Sequence, residues 1–254
     1  RITGPSIHGT VNHMIVQKLV SILPDNIFKF LRKLLGRNYE VDVRHDIAPL
    51  PEEASEQLVL LRSAWQMAQG SNASSPGRRK AYYSFDFQGF HFPGERPWQE
   101  RWDNLRAIRD FRGLKILELG CNLGLLSCHL LGEEGSVSAV AVDRDPEIVE
   151  GARLVAEALS VSPRIMQIDF DQAEDWEKEL LNFRADVVFA LSVFNWIEQK
   201  DRFLEFLGRH SCVIFEGHDS FEVERNRLQS VGFSRVKLLS LSERDRPLLI
   251  ADKG

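Results

Sequence analysis

The sequence has few cysteines, no long apolar run and no excess of positive charge. Its 254 residues include only three cysteines, Cys121, Cys128 and Cys212. This odd number, without paired spacing, fits neither a disulfide framework nor a metal site, so we expect a reducing compartment and a cytoplasmic protein without a metal. No apolar run approaches the ~18 residues that a membrane-spanning helix needs. The net charge of −5 excludes an overall basic field that would attract nucleic acid.

The remaining composition is ordinary for a globular protein. Hydrophobic residues make up 43% of the chain and charged residues 27%, and the length allows one large domain with an extension. The chain begins at Arg1 rather than at a methionine, and its first residues do not resemble a signal peptide. We therefore expect a piece of a longer protein, or a processed chain.

The first third of the chain predicts helices and a loop. Apolar residues recur at helical spacing over residues 8–36, with one break, and again over residues 52–69. The small polar residues 70–77 predict a flexible loop. The helix over residues 26–37 interleaves apolar and basic residues, a pattern that suits an anionic membrane surface, a partner, or packing on the rest of the protein. We favour packing, and predict an N-terminal helical extension over residues 1–80.

The strongest signal is an apolar strand that runs into a glycine turn, in residues 115–124. Glu118 lies near the end of the strand, Gly120 and Gly124 form the turn, and a helix is predicted to follow. Doubly wound folds build nucleotide sites in this way, and a glycine lets the backbone approach a ligand closely. Asn122 stands where the dinucleotide fingerprint has its second glycine, so that fingerprint is not met. This pattern suits a nucleoside ligand with an amino group rather than a diphosphate.

Further βα steps are predicted downstream. The predicted strands are residues 137–142, 164–168, 185–192 and 211–215, then 233–239 and 246–251 as a late antiparallel hairpin. The predicted helices are residues 125–132, 146–159, 174–181 and 221–231. Asp143 ends the second strand, where an acid is placed to bond ribose hydroxyls. The next helix has its own cap and first-turn proline in Asp145-Pro146, so Asp143 is not needed for that role.

The segment Glu118-Leu119-Gly120-Cys121-Asn122-Leu123-Gly124 resembles the first motif of the class I S-adenosylmethionine-dependent methyltransferases. Glycine is commonest in that family at the position of Asn122, and substitution there is tolerated. The resemblance implies an α/β protein with a doubly wound, mostly parallel seven-stranded sheet, the Rossmann-like methyltransferase fold, behind the N-terminal helical extension. It also implies S-adenosyl-L-methionine as the cofactor. We expect the domain to occupy residues 81–254, with an aromatic-rich lead-in over residues 81–112.

The lead-in carries a second, looser resemblance. Its alternating phenylalanines predict a short hairpin around Phe85, Phe87 and Phe90. Trp98, Arg101 and Trp102 share one face of a helix and resemble a Trp-x-x-(Arg or Lys)-Trp segment found ahead of the first strand. It occurs in a tRNA wobble-uridine modifying group and in methyltransferases of bacterial surface polysaccharide, where it covers the cofactor. An aromatic core under the N-terminal helices explains the same residues.

The family resemblance also implies that Asp169 and Phe170, after the third strand, face the adenine, with Asp171 and Gln172 as near competitors. The cofactor residues predicted in this way are Trp98, Arg101, Glu118, Gly120, Cys121, Asn122, Gly124, Asp143, Arg144, Asp169, Phe170 and Leu191.

The acceptor is less clearly indicated. The Asn/Asp-Pro-Pro-Tyr/Phe motif typical of many enzymes that methylate amide or base nitrogens is absent after the fourth strand. Residues 192–195 instead resemble glycan and small-molecule methyltransferases, and Asn195 and Trp196 are placed to face the acceptor. We therefore predict O-methylation of a glycan or small-molecule hydroxyl. The alternatives are a tRNA acceptor, for which residues 78–80 would supply a phosphate site, and a non-catalytic module that binds the cofactor or a partner.

A hydroxyl acceptor needs a base within hydrogen-bond reach. The candidate catalytic residues are His218, Glu216 and His91, and a histidine has a pKa suited to this work. A structural role is the alternative for each of them.

Overall fold

The structure, a computed structural model, describes residues 47–70, 81–242 and 244–254. The helices predicted within residues 8–36, including the basic helix over residues 26–37, lie outside the described residues. Residues 71–80, which include most of the predicted loop over 70–77 and the basic residues 78–80, also lie outside them. Within the described part of the chain, no helix combines the length and apolarity needed to cross a membrane.

One helix and a small sheet precede the main sheet. The elements are α1 (Glu56–Gly70), β1 (Tyr83–Phe87), β2 (Phe90–Phe92), β3 (Arg96–Pro97) and α2 (Trp98–Arg106). Strands β1 and β2 pair antiparallel, with Phe85 opposite Phe92, and β3 pairs parallel to β1. The predicted phenylalanine hairpin is therefore confirmed, whereas β3 is an addition that the sequence pattern did not predict.

Seven strands form the main sheet. They are β4 (Lys115–Leu119), β5 (Ser138–Asp143), β6 (Arg164–Gln167), β7 (Val187–Leu191), β8 (Cys212–Glu216), β9 (Arg235–Leu241) and β10 (Pro247–Asp252). Their order across the sheet is β6-β5-β4-β7-β8-β10-β9. Strand β10 runs antiparallel to the other six strands. The chain reverses direction across the sheet between β4 and β7, which is where doubly wound sheets bind ligands. The predicted strands are confirmed, with ends displaced by at most two residues.

Helices cover both faces of this sheet. They are α3 (Leu125–Gly132), α4 (Pro146–Ala158), α5 (Trp176–Asn182), α6 (Lys200–Leu207) and α7 (Phe221–Ser230). Successive side chains of a strand point to opposite faces. Ile116 accordingly packs in the core layer that contains α3 and α4, and Leu117 packs in the layer that contains α5, α6 and α7. The doubly wound α/β prediction is confirmed, and α6 is a further helix that the sequence reading omitted.

Helix α1 belongs to the same core. Leu58, Leu61 and Trp65 are buried in the layer with α3 and α4, and α1 packs along α4. The contact is close at Gly151, where an added Cβ would lie 3.3 Å from the carbonyl oxygen of Ala64. This helix lies on the N-terminal side of the predicted boundary between residues 80 and 81, and that boundary stays a prediction.

Candidate active site

A pocket opens at the carboxyl edge of the sheet and crosses the switch point between β4 and β7. Residues that end or follow β4, β5 and β6 form one half, which we call the β4–β6 half: Gly120, Asn122, Asp143, Arg144, Asp169 and Phe170. The other half, the β7–β10 half, contains residues that follow β7 and β8, precede β10, or flank the small sheet: Tyr82, Glu95, Ser192, His218, Arg244 and Arg246. The pocket is also lined by residues at and after the end of β7: Leu191, Val193, Trp196 and Ile197.

The turn after β4 is held against the end of β5. The backbone N–H groups of Gly120 and Cys121 both donate to the carbonyl of Val142, each at 2.8 Å. Gly120 has φ +74°, and an added Cβ would lie 2.8 Å from a methyl group of Val193, so glycine is required there both by conformation and by space. Asn122 also adopts a left-handed conformation, with φ 50°.

Asp143 is fixed by this turn. Its Oδ2 accepts from the backbone N–H of Asn122 at 2.9 Å, and its Oδ1 accepts from that of Asp145 at 3.2 Å. Burial raises the pKa of Asp143, and these two N–H groups partly oppose the shift. The Oδ1 atom of Asn122 is buried and has no partner in the described part of the chain. The β4–β6 half thus offers a carboxylate and a free amide oxygen.

The third-strand acids have different roles. The carboxylate of Asp171 accepts from the backbone N–H groups of Glu198 and Gln199, each at 2.9 Å, and so anchors the loop before α6. Asp169 accepts from the backbone N–H of Asp171 at 3.0 Å and faces the pocket. Phe170 is buried against Trp176, at 4.8 Å between ring centroids, and also lines the pocket.

Several predicted cofactor residues lie behind the pocket. Glu118 is buried and accepts from the hydroxyl of Ser127 at 2.6 Å and from its backbone N–H at 3.1 Å. Burial raises the pKa of Glu118 to about 8. Cys121 and Gly124 shape the turn and are not among the lining residues, and Gly124 begins α3 with φ +66°.

Trp98 and Arg101 also lie outside the pocket. Trp98 packs edge-on against Tyr83 and parallel to Trp102, and is 3% exposed. This is the aromatic packing that the sequence left open as the alternative. Arg101 pairs with Glu216, at 2.5 Å between Nη1 and Oε2.

The predicted base Glu216 is enclosed by positive charge. Its side chain has no exposed surface, Arg96 from β3 contacts its Oε1 at 3.1 Å, and Arg101 from α2 contacts its Oε2. Ser192 donates its hydroxyl to Oε1 at 2.6 Å. Although burial opposes it, these partners hold the pKa of Glu216 below its ordinary value. A carboxylate so placed is a poor proton acceptor, and its role is that of an ion-pair partner.

The two candidate histidines have different environments. His91 lies on the exposed hairpin, with 60% of its side chain exposed, pairs with Asp86 at 2.9 Å, and does not line the pocket. His218 does line it, and its Nδ1 is buried with no partner in the described residues. Burial, followed by the charge of Arg246, lowers the pKa of His218.

The loop that carries His218 is held by a buried acid. The Oε1 atom of Glu224 accepts from the backbone N–H groups of His218 and Asp219, at 2.9 and 3.0 Å. Glu224 is itself paired with Arg227 at 2.8 Å. His218 is therefore positioned by α7 as well as by the end of β8.

Sequence reasoning missed Arg244, Arg246, Glu95 and Tyr82 as pocket residues. The arginines precede β10, and a strand antiparallel to its neighbours brings its beginning to the edge where the parallel strands end. The pairing of β10 with β8 was thus the missing information, together with the small sheet that brings Tyr82 and Glu95 to the same edge.

The comparisons with known proteins agree with this geometry. A mostly parallel seven-stranded sheet with the observed order and a glycine turn after β4 defines a Rossmann-like α/β protein. Residues 117–210 match the family model described as a methyltransferase domain. These residues are therefore a methyltransferase domain, which agrees with the resemblance of the first motif. A search among curated proteins found no match.

Solved structures show the same fold at low sequence identity. The N-terminal domain of EvdMO1, crystallised in the presence of SAH and D-fucose, is 16% identical with a TM-score of 0.56 over 81% of this chain and 100% of that one. The same domain with SAH bound is 14% identical, with a TM-score of 0.54 over 81% and 100%. EvdMO1 itself is 16% identical, with a TM-score of 0.56 over 80% of this chain and 50% of that protein. The chain thus spans about half the length of EvdMO1.

Proposed function

We propose that this methyltransferase domain methylates a hydroxyl group of a glycan or small molecule, with His218 as the base that accepts the hydroxyl proton. The observation that carries the proposal is the position of His218. A half-buried imidazole with an unpartnered nitrogen lies in the same pocket as Asp143, across the switch point between β4 and β7. A cofactor and an acceptor bound side by side in this pocket can therefore contact Asp143 and His218, respectively.

The β4–β6 half fits S-adenosyl-L-methionine. Asp143 is placed to accept from ribose hydroxyls and Asp169 from the adenine amino group, while Phe170 and Leu191 offer apolar contacts. A hydrogen bond to a charged group contributes about 1.5–3 kcal/mol. The unpartnered Oδ1 of Asn122 accepts one further donor, and Gly120 leaves room for a ligand at the turn. Arg144 lines the same half, and Glu118, Cys121 and Gly124 support the turn from behind.

The cofactor supplies an activated methyl group, so the protein must orient the acceptor, exclude water and remove one proton. Orientation alone supplies up to about 7–11 kcal/mol in the best cases. A lowered pKa leaves His218 neutral at pH 7, which is the state that accepts a proton. Glu216 and His91 are weaker candidates, because Glu216 is enclosed by two arginines and His91 lies outside the pocket.

The nature of the acceptor is supported by two observations. The pocket wall after β7 is Ser192-Val193, without the motif of nitrogen methylation, and Trp196 is 49% exposed at the pocket, where it offers a flat apolar surface for a sugar ring. D-fucose was present with the N-terminal domain of EvdMO1. No observation favours a tRNA acceptor, since Trp98 and Trp102 are packed inside and offer no face to a base.

Binding of S-adenosylhomocysteine is the first test. At ~100 times its dissociation constant this product should stabilise the wild type by about 2.7 kcal/mol. Asp143→Ala should lose most of this gain, while Asp201→Ala, which removes an exposed carboxylate on α6, should keep it. Stabilisation that is equal in all three proteins would contradict the proposed cofactor site.

The base is tested by methyl transfer to a panel of hexoses that includes D-fucose. His218→Asn should lower the single-turnover rate by roughly 10²–10⁴-fold, the usual contribution of a general base, without weakening product binding. His91→Asn should keep the wild-type rate. A full rate in His218→Asn would exclude it as the base. Product binding with no methyl transfer to any hydroxyl compound would favour the non-catalytic module.

A further inference from the structure

We propose that the methyl acceptor is an acid, and that Arg246 binds its carboxylate or phosphate group beside His218. This inference rests on the proposed function and specifies the substrate class of the same site. It predicts a compound in which an anionic group and a hydroxyl group lie close together, such as a sugar acid or a sugar phosphate.

The position of Arg246 follows from the pairing of β10. Leu248 lies opposite Glu216 in the antiparallel register of β10 with β8, and the backbone N–H of Gly217 donates to the carbonyl of Pro247 at 3.2 Å. The residue that precedes β10 therefore meets the residues that follow β8. Arg246 and His218 consequently line the same half of the pocket.

Arg246 has no acidic partner in the described part of the chain. Its guanidinium makes one side-chain hydrogen bond, from Nη1 to the hydroxyl oxygen of Ser192 at 3.3 Å. The Ser192 hydroxyl donates its own hydrogen to Glu216. A guanidinium carries five N–H donors, so most of the hydrogen-bonding capacity of this half-buried side chain is unused.

Two glutamates near this half of the pocket form ion pairs with other arginines. Glu216 is paired with Arg96 and Arg101, and Glu95 is paired with Arg244 at 3.1 Å. These two carboxylates therefore have arginine partners other than Arg246.

A bound anion offsets the free-energy cost of partly burying the charge of Arg246. A partly buried charge without a partner is unfavourable, and burial accordingly lowers the pKa of Arg246. Carboxylate and phosphate oxygens match the planar fork of a guanidinium and accept two parallel hydrogen bonds from it. The neutral His218 beside it then meets a hydroxyl group of the same molecule.

The adenine-facing residues are distant from Arg246. Asp169 follows β6, and β10 lies five strands away in the order β6-β5-β4-β7-β8-β10. At about 4.8 Å per strand this is a separation of roughly 24 Å along the sheet edge. The anion site therefore lies away from the adenine end of the pocket.

Calorimetric titration of the protein loaded with S-adenosylhomocysteine, at constant ionic strength, tests this inference. The probes are inorganic phosphate and D-glucuronate as acids, and D-glucose as the neutral control. The variants are Arg246→Gln, Arg246→Lys, and Arg235→Gln, which removes the same charge from an exposed position at the start of β9. That position pairs with Asp252, at the opposite edge of the sheet from Arg246.

At least one acid should bind the wild type tenfold or more tightly than D-glucose. Arg246→Gln should reduce this preference at least fivefold, Arg246→Lys should retain part of it, and Arg235→Gln should stay within twofold of the wild type. Preference for phosphate would identify a phosphorylated acceptor, and preference for D-glucuronate a carboxylic acid.

Three results would overturn the anion site: acids that bind no better than D-glucose, a preference that survives in Arg246→Gln, or an equal loss of S-adenosylhomocysteine affinity in that variant. The last would make Arg246 a cofactor contact. A wild type that does not bind S-adenosylhomocysteine would instead overturn the proposed function, and titration of the free protein with the same acids would still decide the anion site.

Discussion

Two buried glutamates at the carboxyl edge of the sheet have opposite electrostatic properties. Glu118 near the end of β4 and Glu216 at the end of β8 are 6% and 0% exposed. Each accepts a hydrogen bond from a serine hydroxyl at 2.6 Å, Ser127 in the first case and Ser192 in the second. Yet the pKa of Glu118 is raised to about 8, whereas the pKa of Glu216 is lowered.

The difference lies in their charged neighbours. Burial acts on both carboxylates, but Glu216 is in direct contact with Arg96 and Arg101. Asp143 places a negative charge near Glu118, and in the described part of the chain only Ser127 donates hydrogen bonds to it. Equal burial and an equal hydroxyl bond therefore do not fix the protonation state, because an arginine within contact distance outweighs both.

The two glutamates also stabilise different parts of the molecule. Glu216 joins β3 and α2 to the main sheet through its arginines, so it fixes the small sheet that closes the β7–β10 half of the pocket. Glu118 joins β4 to α3 through Ser127 and supports the glycine turn. In the folded protein burial disfavours the ionised form of Glu118, whereas Arg101 and Arg96 favour the ionised form of Glu216.

The largest expected effect is that of removing the Glu216 charge. Glu216→Gln removes the buried carboxylate charge that Arg96 and Arg101 both contact, which should lower the free energy of unfolding by about 3–5 kcal/mol. The control is Glu150→Gln, which breaks an exposed pair with Arg153 and should cost under about 1 kcal/mol. Urea unfolding at pH 7 measures both. Similar losses in the two variants would show that the buried cluster adds nothing to stability.

The pH dependence of stability should distinguish Glu118. Its pKa is about 8 in the folded protein and 4.5 in the unfolded chain, so folding takes up a proton between these values. The contribution of this group is full below the unfolded pKa and is lost as the pH rises towards about 8, at up to about 1.4 kcal/mol per pH unit. Glu118→Gln keeps the shape without the titration, so its stability relative to the wild type should increase with pH.

Urea unfolding of both proteins at about pH 5.5, 6.5 and 7.5 provides the comparison, because other titrating groups cancel in the difference. A difference that does not vary with pH would mean that Glu118 is ionised throughout. Below pH 4.5 the same comparison with Glu216→Gln should show the opposite direction, since a lowered pKa gives stability that is lost as the pH falls below the unfolded value.

The turn after Glu216 is expected to tolerate no side chain. An added Cβ at Gly217 would lie 2.1 Å from Oε1 of Glu224, the atom that holds the backbone of His218. Gly217→Ala should therefore lower the free energy of unfolding by about 1–3 kcal/mol and reduce methyl transfer. Gly132→Ala, where the new Cβ would lie 3.4 Å from Val161, should change stability by less than about 0.5 kcal/mol. Thermal unfolding of the pair tests this, and equal midpoints would contradict the tight contact.

The sequence was informative where structure depends on local pattern. Buried parallel strands are continuous apolar runs, and the strands from β4 to β8 could be predicted on that basis. Asp143 could be placed because an acid at the end of the second strand of a βαβ unit has a regular position. Helix α6 has only eight residues, and β3 has two, one of them Pro97, so neither offers a periodic signal long enough to detect.

The β7–β10 half of the pocket could not be predicted in the same way. The contact between Arg96 and Glu216 joins residues 120 positions apart in the chain, and no local pattern encodes it. Glu216 is therefore only one of three candidate bases in the sequence, because its position at a strand end is visible and its arginine partners are not. Arg246 is predicted to begin the last strand, but its place in the pocket depends on the pairing of that strand, β10, with β8.

The smallest expected effects are those of the two serines that donate to the glutamates. At about pH 6 Glu118 is largely protonated, so Ser127→Ala removes a bond between neutral groups, worth about 0.5–1.5 kcal/mol. Ser192→Ala removes a bond to the ionised Glu216, worth about 1.5–3 kcal/mol, and also removes an acceptor for Arg96 and Arg246. The loss measured by urea unfolding should therefore be larger for Ser192→Ala, although both hydroxyls donate at 2.6 Å. A larger loss in Ser127→Ala would contradict the assigned protonation states, because the charged acceptor and the two arginine donors all act on Ser192.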